Sequence, residues 1–210
     1  MRAIIQSYPP QECERIINGQ QTIKVCKTAP KDTPFKVYIY CTKKGDMFFH
    51  GGIGEKQVLY YNPDEKRYKF DYPLELMCCK NKYTKDNFLS GKVIGEYVCD
   101  WVGEITPHCD IQPNVNRYEH HYPAILGWDD CMSFEEMKSY LGNRKGRDLH
   151  MSQLKIYDKP KELDEFFGIC PTDDCADCDY LGDNGLFNFC TNRITRPPHG
   201  WQYVEDLRGA

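Results

Sequence analysis

Four cysteines toward the C-terminal end have the spacing most directly tied to chemistry. They read Cys170-x4-Cys175-x2-Cys178-x11-Cys190 within ICPTDDCADCDYLGDNGLFNFC. Tetrahedral zinc requires four soft ligands at about 2.3 Å, and a Cys-x-x-Cys turn delivers two of them at once. Gly182, Asp183, Asn184 and Gly185 allow the chain to reverse and return Cys190 to the cluster. Hydrophobic residues are too few here to build a core, so a bound metal gives the segment a reason to be ordered. Residues 168–192 are therefore expected to hold a structural zinc with no open coordination position, with His199 as a substitute for the outermost ligand, Cys170. The competing reading is a loop of thiols, or one labile disulfide. The remaining cysteines, Cys13, Cys26, Cys41, Cys78, Cys79, Cys99, Cys109 and Cys131, share no ligand spacing and read as small core hydrophobes.

A second concentration of polar chemistry lies in NGQQTIKVCK, where Gln21, Thr22, Lys24 and Lys27 surround a short alternating strand whose apolar face is Ile23 and Val25. The Gln amide offers donors and an acceptor to a base edge, and the lysines match phosphate oxygens. Two readings stand side by side: the cationic rim of a ligand cleft, or a solvated strand face and loop. His150 opens HMSQLKIY and reads either as a ligand contact or as a satisfied core histidine. Tyr38 and Tyr40 alternate with Val37 and Ile39, which suits a stacking ring or plain core packing. His120 and His121 read as surface residues. No Ser or Cys has a nucleophile-elbow context. Gly51-Gly52-Ile53-Gly54 lacks the Lys and helix that a phosphate loop needs.

The elements that must position these groups follow from pattern. The 210 residues suit one domain, 1–210, large enough to bury a sizeable core. A net charge of -4 argues against general duplex-DNA binding but leaves room for a locally basic cleft. No run of 18 apolar residues is present, so no membrane span is expected. The opening Met1-Arg2-Ala3-Ile4-Ile5 turns polar at Gln6, too soon for an export signal, which points to a reducing, cytoplasmic compartment.

Ala3-Ile4-Ile5 reads as a strand, and Pro9-Pro10 open a helix with Cys13, Ile16 and Ile17 on one face and Gly19 to end it. Strands are expected at Thr22–Cys26, Lys36–Cys41, Gly91–Val102, His150–Tyr157 and Trp201–Val204. Residues 43–90 read as an insertion with a hairpin turning at Asn62-Pro63-Asp64, and 103–129 show no clear period. Ser133-x-x-Glu136 is a capping box, with Met132 and Met137 in staple positions, opening a helix to Gly142 whose inner face is Phe134, Met137 and Leu141. Asp158 is expected to cap a second short helix with Leu163, Phe166 and Phe167 inside. Many strands with few, short helices predict an α+β protein built on a small mixed β-barrel with rim helices.

The order strand, helix ending in Gly, QTIKV, PFKVYIYCTK and GKVIGEYVC resembles the ASCH domains of the PUA-like superfamily. HMSQLKIYDKPKELDEF and ITRPPHGWQYVE resemble a variant found among bacteriophage and gut-bacterial proteins. The resemblance covers residues 1–42, 91–102 and 130–206. It implies a β-barrel that binds or modifies RNA or nucleotides, in a bacterial or phage-infected cytoplasm. The family motif Gly-x-Lys-Thr-x-x-x-Arg is met at Gly19 and Thr22, with Gln21 at the Lys position and Cys26 at the Arg position. In family members that hydrolyse N4-acetylcytidine the motif supplies a Lys and a Thr beside a later carboxylate. Here Gln21 stands at the Lys position and Lys24 at the catalytic Thr position, which is distinct from the motif Thr met at Thr22, and Asp130 aligns with the carboxylate. Gln cannot become a neutral amine, so the inherited activity is not expected. The resemblance thus implies a non-catalytic module binding RNA or a modified nucleotide through Gln21, Thr22, Lys24, Lys27, Tyr40, Asp130 and His150. Two alternatives accompany it. One is a hydrolase with chemistry rearranged onto Lys24 and Asp130. The other is a phage-type factor that contacts a host protein through the insertion.

Overall fold

The first helix shows how local sequence positions the later chemistry. In the computed structural model, Pro10 starts α1 (Pro10–Ile17), where a missing N–H costs nothing and the ring presets φ. The helix ends in a Schellman closure. Gln20 N donates to Arg15 O at 2.8 Å, Gly19 N donates to Ile16 O at 3.0 Å, and Gly19 takes φ +69°. Cys13 and Ile16, both at 0% exposure, seat the helix on the sheet, as the pattern predicts.

The structure describes residues 1–43, 89–109, 132–142, 144–170 and 192–207. It describes the backbone alone at 47–50, 57–62, 67–68, 107–109, 116–120 and 134. The main sheet is built from β1 (Ala3–Tyr8), β2 (Ile23–Cys26), β3 (Phe35–Cys41), β7 (Val93–Cys109), β8 (Asn116–His120), β9 (Gly146–Lys161) and β10 (Trp201–Val204). Its order is β10-β1-β3-β7-β9-β2, with β8 on β7. Only β1 and β3 run parallel among these pairs, because the chain crosses over between them through α1. Inside the expected insertion, β4 (Met47–His50), β5 (Gln57–Asn62) and β6 (Arg67–Tyr68) form a separate three-stranded sheet. The β5–β6 register pairs Asn62 with Arg67, as a hairpin requires, and the expected turn at Asn62-Pro63-Asp64 lies beyond Asn62 outside the described residues.

The expected barrel takes the form of an open sheet among the described residues, since no ladder joins β2 to β10. Side chains span the gap instead. The Trp201 indole N–H donates to Thr28 O at 3.0 Å, and Gln6 Nε2 donates to Cys26 Sγ at 2.9 Å. The sheet has two apolar faces. One packs Ile4, Tyr8, Val37, Ile39, Cys41, Tyr97, Cys26 and Leu149 against α1. The other packs Ala3, Ile5, Tyr38, Tyr40 and Tyr157 against Phe166 and Ile194. Period-2 alternation along β1 and β3 makes this division. The second helix, α2 (Phe134–Leu141), opens on the expected capping box. Its buried Met137 and Leu141 meet Val25 and Ile105, with Met132 alongside.

Three elements differ from expectation. Strand β7 runs on to Cys109, where β8 gives its far half a partner that the unpatterned sequence did not advertise. Strand β9 extends from Gly146 to Lys161 because β7 pairs with it along that whole length, through several bulges. Asp158 therefore lies inside β9 and does not open the short helix, which is a 3-10 turn, Leu163–Glu165, with Glu162 at its N-cap. Phe166 behind it is fully buried, as expected.

Candidate functional site

A directed chain of buried hydrogen bonds links β7, β1 and β2. The Tyr8 hydroxyl donates to Gln6 Oε1 at 2.9 Å, so its single proton is committed. The Tyr97 hydroxyl, 2.9 Å away, must then donate to Tyr8. Gln6 passes its own N–H to Cys26 Sγ. Gln6, Tyr8, Tyr97 and Cys26 are all buried, and this satisfied network replaces contacts with water. Burial pushes both phenols well up, and it pushes the Cys26 thiol up to about 11 against the opposing pull of Lys24 and the Gln6 bond. Cys26 is a neutral thiol at physiological pH, not a nucleophile.

Above Cys26, Lys24 is ion-paired with Glu12 of α1, and its ammonium lies 5.2 Å from the centroid of Tyr8. The side chains of Lys24 and Glu12 are 13% and 15% exposed, a half-buried pair at the mouth of the interior. Desolvation alone would lower the Lys24 pKa; the Glu12 carboxylate outweighs it and the net shift is upward. Lys24 is thus a cation. Tyr140 of α2 closes the mouth. Its hydroxyl is raised by burial and by Cys26 and Glu12, while Lys24 pulls it down. Lys27, exposed on the loop after β2, lies 4.9 Å from the Tyr140 centroid. Lys27, Tyr140, Glu135, Glu136 and Ser139 line a shallow groove of 570 Å³. Each of the two cations is seated on a tyrosine ring, and Lys27 with Tyr140 lines the groove.

The structure brings together part of the expected residue set. Lys27 lies over the Tyr140 ring, and the Lys24 charge acts on the same hydroxyl. Gln21 is 3% exposed and occupied, accepting from Arg15 Nε at 3.3 Å and donating to Ile23 O at 3.0 Å. It fastens the link between α1 and β2 and presents no free edge to a base. Thr22 is exposed, and its carbonyl accepts from Met151 N at 2.9 Å. His150 pairs in register with Ile23, which places it on the face opposite Lys24, where its Nδ1 lies 2.7 Å from Asp100 Oδ1. Tyr40 also lies across the sheet, in the cluster with Phe166. Asp130 lies outside the described residues, as do Cys175, Cys178 and Cys190. Cys170 is half-buried, and its backbone N–H donates to Glu205 Oε1 at 2.9 Å.

The mouth also contains residues that sequence reasoning did not single out: Glu12, Tyr8, Gln6, Tyr97 and Tyr140. Only Tyr140 had a local signal, as a large aromatic on the helix one residue before the buried Leu141.

No family model and no curated protein matches the chain. Among solved structures it is similar to an ASCH protein from Zymomonas mobilis, at 10% identity and a TM-score of 0.48, covering 97% of this chain and 88% of that one. Two point mutants of the same protein give 10% identity with TM-scores of 0.49 and 0.48. The first of these covers 98% of this chain and 92% of the mutant, the second 97% and 89%.

Proposed function

We propose that this chain is a non-catalytic module of the ASCH, PUA-like kind that binds RNA or a nucleotide at the Lys24–Lys27–Tyr140 mouth. The observation behind this reading is Lys27 seated against Tyr140, the two lining one groove, with Lys24 held against Tyr8 behind them. A base stacks on the exposed ring of Tyr140 while Lys27 meets its phosphate; base–aromatic stacking contributes about 1–3 kcal/mol. Lys24 acts as a fixed cation behind it. Its ion pair with Glu12 works against the hydrolase alternative, which needs a neutral amine at Lys24.

Calorimetry with AMP, CMP and short single-stranded RNA tests the reading. Saturable binding that weakens with salt supports it. Absence of any binding tighter than roughly 1 mM removes it. Turnover of N4-acylated cytidine that is lost in Lys24→Ala would instead establish the hydrolase.

The Cys-rich segment is proposed to be a structural zinc clip held by Cys170, Cys175, Cys178 and Cys190. Its near end is fastened to the core, because Gly168 bridges to Val204 and Cys170 binds Glu205. A metal would hold the rest of the loop in one conformation without taking part in binding at the mouth.

A further inference from the structure

The face of the sheet opposite Lys24 has a cleft of its own. Its volume of 680 Å³ falls in the range of small-molecule pockets, about 300–1,000 Å³. It opens where the end of β3, the 3-10 turn and the 194–197 loop meet. Tyr40, 3% exposed, forms a wall from within the core, and Leu163 and Ile194 supply further apolar surface.

The polar lining is unusual in one respect. Thr42 Oγ1 is buried and has no hydrogen-bond partner among the described residues. A buried hydroxyl left in that condition is destabilising, so a bound group that completes it is favoured there. Burial also raises the Tyr40 pKa, which keeps that phenol neutral.

Charge in the lining is balanced. Lys43 folds over Gly91, which takes φ +85° and whose Cβ, if it had one, would stand 2.6 Å from Lys43 Cε. Asp164 offsets this cation, and the Glu162 carboxylate is met by Lys92 Nζ at 3.2 Å. Such a lining offers a phosphate no net attraction. A bare sugar would leave the apolar walls unfilled, and a phosphate would be set against Asp164 and Glu162.

We propose that this cleft is a second binding site, separate from the Lys24–Tyr140 mouth, and that it takes a neutral nucleoside. The base lies against Tyr40, Leu163 and Ile194, and a polar atom of the ligand completes Thr42 Oγ1.

The test is calorimetry on the full chain with adenosine, AMP and ribose. In Tyr140→Ala, where the mouth lacks its stacking ring, adenosine should still bind saturably and more tightly than AMP or ribose. Thr42→Val should weaken adenosine about fivefold, the effect of one lost hydrogen bond. The same change should raise the melting temperature of the ligand-free protein, since it removes a buried hydroxyl that lacks a partner. A merely structural role for Thr42 would not move those two readouts in opposite directions. Asp164→Asn, at an exposed residue, should tighten AMP about threefold while sparing adenosine. The proposal is overturned if adenosine, cytidine, guanosine and uridine all bind no tighter than roughly 1 mM. It is equally overturned if Thr42→Val leaves adenosine affinity unchanged, or if Tyr140→Ala abolishes it.

Discussion

Lys24 and Glu12 form an ion pair between β2 and α1, with the lysine ammonium resting 5.2 Å from the Tyr8 centroid. The pair ties the helix to the strand at the mouth of the interior. Glu12→Gln leaves a half-buried ammonium without its counter-charge and should cost about 3 kcal/mol in urea unfolding at pH 7. The folded-state pKa of Lys24 is raised, so the pair contributes fully below the unfolded value of about 10.4 and is lost as pH rises through the folded value. The stability gap between the two proteins should therefore narrow at alkaline pH. A gap that stays constant to pH 11 would show that the pair does not set it.

Opposite faces of one sheet should respond differently to substitution. Tyr140→Ala should weaken AMP or single-stranded RNA about tenfold by removing the stacking ring. Lys27→Ala should lower the salt slope for RNA by about 0.7, one phosphate contact. His150→Ala should change affinity less than twofold, because His150 faces away from Lys24 and is bonded to Asp100. A large His150 effect would place the ligand on the wrong face for the proposed mouth.

The C-terminal segment is pinned across β3. The Tyr38 hydroxyl donates to Asp206 Oδ1 at 2.7 Å and accepts from Leu207 N at 2.9 Å, while Lys36 Nζ lies 2.8 Å from the same carboxylate oxygen. Burial raises the Asp206 pKa, but Lys36 and Tyr38 outweigh it and the net shift is downward. Its contribution is present above the unfolded value of about 3.9 and is lost as pH falls through the folded value. Asp206→Asn should cost about 1–2 kcal/mol at pH 7 and lose that difference in acid. Hydrogen exchange at the Leu207 amide should quicken in the variant; an unchanged rate would mean the clamp is redundant.

Zinc content is the direct measure of the Cys-rich segment. Elemental analysis of protein purified without chelator should find about one zinc per chain. Cys175→Ser or Cys178→Ser should release it and open 168–192 to protease, while the sheet with its separate cores stays folded. Metal-free protein whose 168–192 segment resists protease would end the zinc reading.

Local pattern made much of the fold legible. The Pro9-Pro10 start, the Gly19 stop and the Ser133–Glu136 capping box each satisfy backbone groups within a few residues, so their structure is written where they stand. The alternating runs around Ile23, Val37 and Ile94 likewise announce strands with one or both faces buried. The far half of β7 was not legible, because its strand character comes from pairing with β8 and β9 more than from its own side chains. The mouth was legible only at Lys24 and Lys27.

By itself the sequence determined where α1 and α2 begin and end and where the short alternating strands lie, and that Lys24 must face away from Ile23 and Val25, since alternation with period two is a property of one strand. Tertiary structure decided what each face meets. The β1–β3 register sends Tyr8 to one side of the sheet and Tyr38 and Tyr40 to the other. The β2–β9 register separates Lys24 from His150, and the return of α1 onto the sheet gives Lys24 its Glu12. Gln21 is drawn inward by Arg15 and Ile23 for the same reason. These partners are brought together by chain crossings and strand register, which no single stretch of sequence encodes.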